Sequence, residues 1–257
     1  MKSVQQNHNS RDSNDPNDSS DSSDTCDDKY RDCNIRTTKI GNSTISERTT
    51  VVFPSPQIIF YDTDIQVIEA YHKILQGHIP NTLFINTDLE TLVCTNGAVN
   101  CLVSASNTYG DMFDNDTNRV IEAVCYNKED SDYGDIETRV KAMISRSGID
   151  DGYGNKHLPN GKCFITLQNN YYVMVAPTLT KDEELNRTLC VPNNIVAAFG
   201  AILQQLHVLT QQKRNITVAC PCLGINVGRD NTITPEISAQ HILNAYRRFG
   251  GSALLIF

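Results

Sequence analysis

Four polar clusters in the sequence each follow directly on a short apolar run, and each carries side chains able to bind ligands or move protons. Asp62 and Asp64 follow Gln57–Tyr61, and Thr87 and Asp88 follow Thr82–Asn86. Ser104-Ala105-Ser106-Asn107-Thr108-Tyr109-Gly110 follows Val99–Val103, and Pro221-Cys222-Leu223-Gly224-Ile225-Asn226-Val227-Gly228 follows Ile216–Cys220. A carboxylate such as Asp88 accepts N–H donors, so it can tell an amino-bearing base from a carbonyl-bearing one, or it can cap a helix or turn. Asn107 can donate to and accept from sugar hydroxyls, or close a turn at a strand end. Gly224 and Gly228 let backbone N–H groups converge on an anion, although an ordinary glycine-bearing connection reads the same. Cys220 and Cys222 flank Pro221 at a spacing that is not C-x-x-C and read as small core residues. His157 sits in a Gly/Asn-rich loop, where a lone histidine is usually solvated rather than an acid or base. The acidic run Glu129-Asp130-Ser131-Asp132 reads as a solvated face.

These clusters need a scaffold that brings strand ends together. Gln57–Tyr61 reads as a buried strand, Ile65–Leu75 as an amphipathic helix stopped by Gly77, and Thr82–Asn86 and Val99–Val103 as further strands. Helices are expected near Asn118–Tyr126 and over Asp135–Ser145, followed by a Gly/Asp/Asn-rich loop through Gly161. Lys162–Gln168 and Tyr171–Ala176 form a hairpin about Asn169-Asn170. A long apolar helix covers Asn193–Leu209, a strand Ile216–Cys220, a helix Pro235–Phe249 with Pro in its first turn, and a last strand Ser252–Phe257. Strands alternating with helices predict a three-layer α/β/α sandwich on a mixed, mostly parallel sheet. In such sheets ligands sit at the carboxyl ends of the strands, which is where all four clusters fall. Residues 1–50, rich in Asn, Asp, Ser and Thr, carry too little apolar surface to offset the entropy of ordering and are expected to be a disordered tail. The domain is expected to run from Val51 to Phe257.

Ser104–Gly110, then Ala176-Pro177-Thr178-Leu179, then Pro221–Gly228 resemble, in this order, the motifs of the macro domain. The similarity is greatest to a branch with the patterns S-P-A-N-S-F-G, A-P-T-M and P-G-L-G-T-G-V-G, and it runs from about Ile58 to Phe257. The resemblance implies binding of ADP-ribose, a related nucleotide or an ADP-ribosylated protein. In some members it implies hydrolysis of an ADP-ribosyl ester or of ADP-ribose 1''-phosphate, with a water placed between the ligand phosphates and the distal ribose. By the same resemblance Asp88 receives the adenine amino group, Asn107 contacts the distal ribose, and Gly110 belongs to the same ligand-binding stretch. Leu223, Gly224, Ile225, Asn226, Val227 and Gly228 then form the second phosphate loop. The family's glycine-rich first phosphate loop, M-D-G-G-I-D, is replaced by Met112-Phe113-Asp114-Asn115-Asp116-Thr117-Asn118. There Asp114 and Asp116 repel a diphosphate, or Asp114 serves as a general base for a water near the distal ribose. Many members carry an aromatic beyond the last strand that stacks on adenine, and no such residue is expected here after Phe257.

The chain has 257 residues, a formal charge of −8 and a pI near 5.2, with eight aspartates against four basic residues in the first 34. That balance argues against a nucleic-acid partner. Hydrophobic residues make up 39 % of the chain, a deficit that a polar appendage explains. No apolar run approaches the roughly 18 to 20 residues needed to span a bilayer, and the first residues lack a signal-peptide core. An intracellular protein with no membrane partner, monomeric, is expected. Nine cysteines without a C-x-x-C pair argue against a disulfide framework and a zinc site, so triplets such as Asn186-Arg187-Thr188 read as accidental rather than glycosylated. The ligand types imply neither metal nor cofactor. The Asn and Asp bias is that of an AT-rich genome, such as a large DNA virus. Two other function classes stand beside the first: an interaction module that recognises ADP-ribosylated partners or has lost its ligand, and a Rossmann- or methyltransferase-type enzyme. The second lacks G-x-G-x-x-G after the first strand.

Overall fold

The structure is a computed structural model and describes residues 36–40, 43–47, 55–112, 116–125, 135–152, 154–182, 187–212, 215–225 and 233–250. The chain divides into two units, residues 1–50 and 51–257. In the first, β1 (Arg36–Ile40) pairs antiparallel with β2 (Ser43–Glu47), Arg36 opposite Glu47. Most of the expected disordered tail, residues 1–35, lies outside the described residues.

The second unit holds β3 (Gln57–Asp62), α1 (Ile65–Leu75), β4 (Thr82–Asn86), α2 (Leu89–Thr95), β5 (Cys101–Ser104), α3 (Asp116–Cys125) and α4 (Ile136–Ser147). It continues with a small hairpin, β6 (Ile149–Asp150) and β7 (Lys156–His157), then β8 (Phe164–Gln168), β9 (Tyr171–Val175), and a second hairpin, β10 (Thr180–Asp182) and β11 (Arg187–Leu189). The last elements are α5 (Pro192–Gln212), β12 (Thr217–Pro221) and α6 (Pro235–Ala245), which passes into one π-helical turn at Tyr246–Gly250. Six strands form one sheet in the order β4-β3-β12-β5-β9-β8, parallel throughout except for the β8–β9 hairpin.

Alternation along the strands sends successive side chains to opposite faces, and both faces are covered. Ile58 and Phe60 of β3 pack with α1, α5 and α6, through Tyr71, Phe199 and Ile242. Ile59 and Tyr61 pack on the other face with α2, α3 and α4, through Leu92, Ile121 and Val140. This is the three-layer α/β/α sandwich with a mixed, mostly parallel sheet that the sequence predicts. Side-chain caps fix the helix starts: Asp64 accepts from Gln66 N, Asp135 from Thr138 N, and Thr234, ahead of Pro235, from Ile237 N.

The helix expected over Pro235–Phe249 changes pitch after Ala245. Phe249 of that turn packs so close to Gly200 of α5 that a Cβ there would come within 2.6 Å of its ring. Helix α2 and the two small hairpins are additions to the sequence reading, and the expected strand Ser252–Phe257 lies outside the described residues.

Candidate functional site

Strands β4, β3 and β12 are neighbours in the sheet, and their carboxyl ends meet the first turn of α3 around a cleft of about 270 Å³. Tyr61, Asp62, Thr87, Asp88, Thr117 and Pro221 are among the residues that line it. Asp88 is the N-cap of α2: one carboxylate oxygen accepts from Thr91 N at 2.7 Å and the other from Thr91 Oγ1 at 3.0 Å. Those bonds hold its carboxyl below the usual range, so it faces the cleft as an anion. A carboxylate has about four acceptor sites, so capping leaves room for a ligand N–H. Asp62 is half-buried and its carboxyl is pushed up by burial, opposed by the bond it accepts from Asp64 N at 2.9 Å.

Tyr61 is 4 % exposed, and its hydroxyl has no hydrogen-bond partner among the described residues; Thr117 lies beside it outside bonding geometry. Burial, and then the neighbouring Cys220, Cys222 and Asp62, hold this phenol well above its ordinary range, so it is a neutral donor. Tyr61 stands at the carboxyl end of β3, which lies beside β12 in the sheet although it stands far ahead of it in sequence.

The Ser104–Gly110 and Ala176–Leu179 motifs meet directly. Ala176 N donates to Ser104 O, Thr178 N to Ser106 O and Thr108 N to Leu179 O, which extends the β5–β9 pairing past the strand ends. Asn107 is buried there, and its amide is engaged by its own turn. Its Oδ1 accepts from Tyr109 N at 2.9 Å and from Asp111 N at 3.3 Å, while Nδ2 donates to Asp111 Oδ2 at 3.0 Å. Gly110 has φ +75°, and a Cβ on it would come within 2.5 Å of Val140 Cγ1, so its role in the structure is to let α4 close on the turn. Met112 N donates to Glu137, and Lys141 bridges Glu137 and Asp111. Glu122 of α3, buried, accepts from Ile136 N and Glu137 N and so caps α4 from another helix. Burial pushes its carboxyl up, against those two bonds.

After β12 the chain is fixed by a buried network. Leu223 N donates to Tyr71 Oη at 2.9 Å, Ser238 Oγ donates to Leu223 O at 2.6 Å, and the two hydroxyls lie 2.6 Å apart. Both backbone groups of Leu223 are therefore taken by protein, and its side chain is core. Gly224 has φ +71°, and a Cβ there would meet Cys190 Sγ at 2.8 Å and Ile195 Cδ1 at 2.9 Å. Ile225 packs against the same core. Asp114, Asn226, Val227 and Gly228 lie outside the described residues. His157 packs its ring 6.0 Å from that of Tyr109. Of the sequence-derived site residues, Asp88 opens into the strand-end cleft, whereas Asn107, Gly110, Leu223 and Gly224 are held by internal contacts around it. Tyr61, Asp62 and Thr117 join Asp88 there.

Among the described residues no group of three or more His, Cys, Asp or Glu side chains is placed to hold a metal ion, and no helix is long and apolar enough to cross a membrane. No protein-family model and no curated protein matches the chain. Among solved structures it is similar to a macrodomain mutant of Oceanobacillus iheyensis, at 11 % identity over 59 % of this chain and 72 % of that one, with a TM-score of 0.38.

Proposed function

We propose that this chain binds ADP-ribose or a closely related adenine nucleotide, with the base at the strand-end cleft. The observation that carries the reading is Asp88, a charged acceptor at the ends of three adjacent parallel strands, with Tyr61 in the same cleft. A carboxylate there accepts the exocyclic amine of adenine and repels the carbonyl edge of guanine. Tyr61 supplies an aromatic body and a hydroxyl donor for a base or ribose acceptor. Asp62 and Asp116 line the same cleft, so it takes donors and rejects phosphate.

Binding without turnover is the form we favour, and Asn107 is the reason. Both ends of its amide are engaged by Tyr109 and Asp111, which leaves it poorly placed to orient a water against a distal ribose. The hydrolytic alternative places Asp114 as general base. Calorimetric titration with ADP-ribose, NAD and S-adenosylmethionine tests the reading: saturable binding of ADP-ribose supports it, and preference for S-adenosylmethionine or no binding removes it. An assay for release of phosphate from ADP-ribose 1''-phosphate is expected to show none, and turnover lost on Asp114→Asn would establish the hydrolytic form.

A further inference from the structure

Strand β4 stands at one edge of the six-stranded sheet and β8 at the other. Asn81 O accepts from Ile58 N and Thr87 N donates to Asp62 O, and between those two bonds the parallel register runs from Ile58↔Thr82 to Asp62↔Asn86. In a parallel ladder alternate residues bond the neighbouring strand, so Asn81, Leu83, Ile85 and Thr87 turn their backbone groups to β3. Thr82, Phe84 and Asn86 turn theirs outward, where no described residue bonds them. The other edge is treated differently. Leu167 O of β8 accepts from Arg139 Nη1 of α4 at 3.3 Å. Strand β4 lacks the devices that keep an edge from pairing: Thr82–Asn86 holds no charge and no proline, and its register with β3 runs without a bulge.

The pattern of the strand selects an occupant. The outward residues Thr82, Phe84 and Asn86 are symmetric about Phe84, and so is the chemistry, polar at both ends and apolar at Leu83, Phe84 and Ile85. Turned over on a two-fold axis at Phe84, a second β4 runs antiparallel to the first and sets Phe84 against Phe84, Thr82 against Asn86 and Leu83 against Ile85. Each outward N–H and C=O then finds a partner on the other copy. Leu83, 43 % exposed, gains an apolar cross-strand neighbour. Two chains of charge −8 repel one another, and this strand brings no charged side chain of its own to the contact.

We propose that two copies of this chain associate edge to edge through β4, antiparallel about Phe84, into one continuous sheet. A weak dimer takes the place of the monomer expected from the sequence, because five residues a side is small beside the roughly 20 of a standard interface. The pairing uses no residue that lines the strand-end cleft, so it stands independently of ADP-ribose binding.

The test is sedimentation equilibrium of the full chain from micromolar to millimolar concentration, with amide exchange followed by NMR at both ends of that range. Monomer at the low end and dimer at the high end are expected, with exchange of the Phe84 amide slowing several-fold as the dimer forms. The Leu83 and Ile85 amides, bonded to β3, stay protected at both. Leu83→Lys places a charge on the edge and should keep the chain monomeric throughout. Its melting temperature at micromolar chain should stay within roughly a degree or two of the parent, since the position is open to solvent. A monomer at millimolar chain overturns the proposal, as does a dimer that survives Leu83→Lys. Phe84 exchange that ignores concentration overturns it too: slow at micromolar chain, it puts a segment of the same chain on the edge, and fast at millimolar chain, it puts the contact elsewhere.

Discussion

A single carboxylate can cap a helix and face a ligand at once; Asp88 caps α2 and lines the strand-end cleft. The two roles separate under substitution. Asn caps as well as Asp, so Asp88→Asn should melt within a degree or two of the parent, whereas Asp88→Ala should melt a few degrees lower; thermal unfolding checks this. Glu122 is the other carboxylate with a structural duty. Glu122→Ala leaves Ile136 N and Glu137 N without their acceptor, at a cost of about 2 to 3 kcal/mol by denaturant unfolding.

The direction of pH dependence follows from its raised carboxyl. Between the ordinary value of 4.5 and the raised value in the fold, the folded chain keeps a proton that the unfolded chain has released. Stability from this group therefore falls as pH rises through that window, and Glu122→Gln should flatten the fall. Residue roles were only half legible in the sequence. Asp88 could be read as cap or ligand acceptor and keeps both readings, while Asn107 could be a turn or a ribose contact and its described bonds are those of a turn. Whether Glu122 reaches the start of α4 depends on a tertiary approach that no local pattern encodes.

Elements were more legible than their ends. Among the described residues, period-two and helical spacing place every strand of the main sheet and five of the six α-helices, because each buries a continuous apolar face. Helix α2 escaped because seven residues give no period to read, and its start is signalled only by Asp88 and Thr91. The turn after β12 shows what local chemistry leaves out. Gly224 reads as a phosphate-facing glycine, yet its described contacts are Cys190 and Ile195 of neighbouring segments. Gly224→Ala should cost about 1 to 2 kcal/mol through its positive φ, with more from the close contacts. Tyr71→Phe removes the acceptor of Leu223 N–H and should cost a further ~1 to 3 kcal/mol by denaturant unfolding. Both substitutions act on the direction in which the chain leaves β12. If neither changes stability, the network does not fix that turn.

At the scale of the molecule, the order β4-β3-β12-β5 lines up the ends that carry Asp88, Asp62, Pro221 and Asn107 along one edge of a parallel sheet. That convergence is a property of topology, and it explains why clusters more than a hundred residues apart in sequence belong to one region. The unit of residues 51–257 has its own core on both faces of the sheet, so a chain lacking residues 1–50 should unfold at the parent's midpoint by circular dichroism. The most direct test of the binding reading is calorimetric titration of ADP-ribose into the parent chain and into Asp88→Asn. Saturable binding to the parent that falls at least roughly tenfold in Asp88→Asn, the loss of one charge-assisted hydrogen bond, is the predicted result. No binding to the parent, or equal affinity in both, would contradict it.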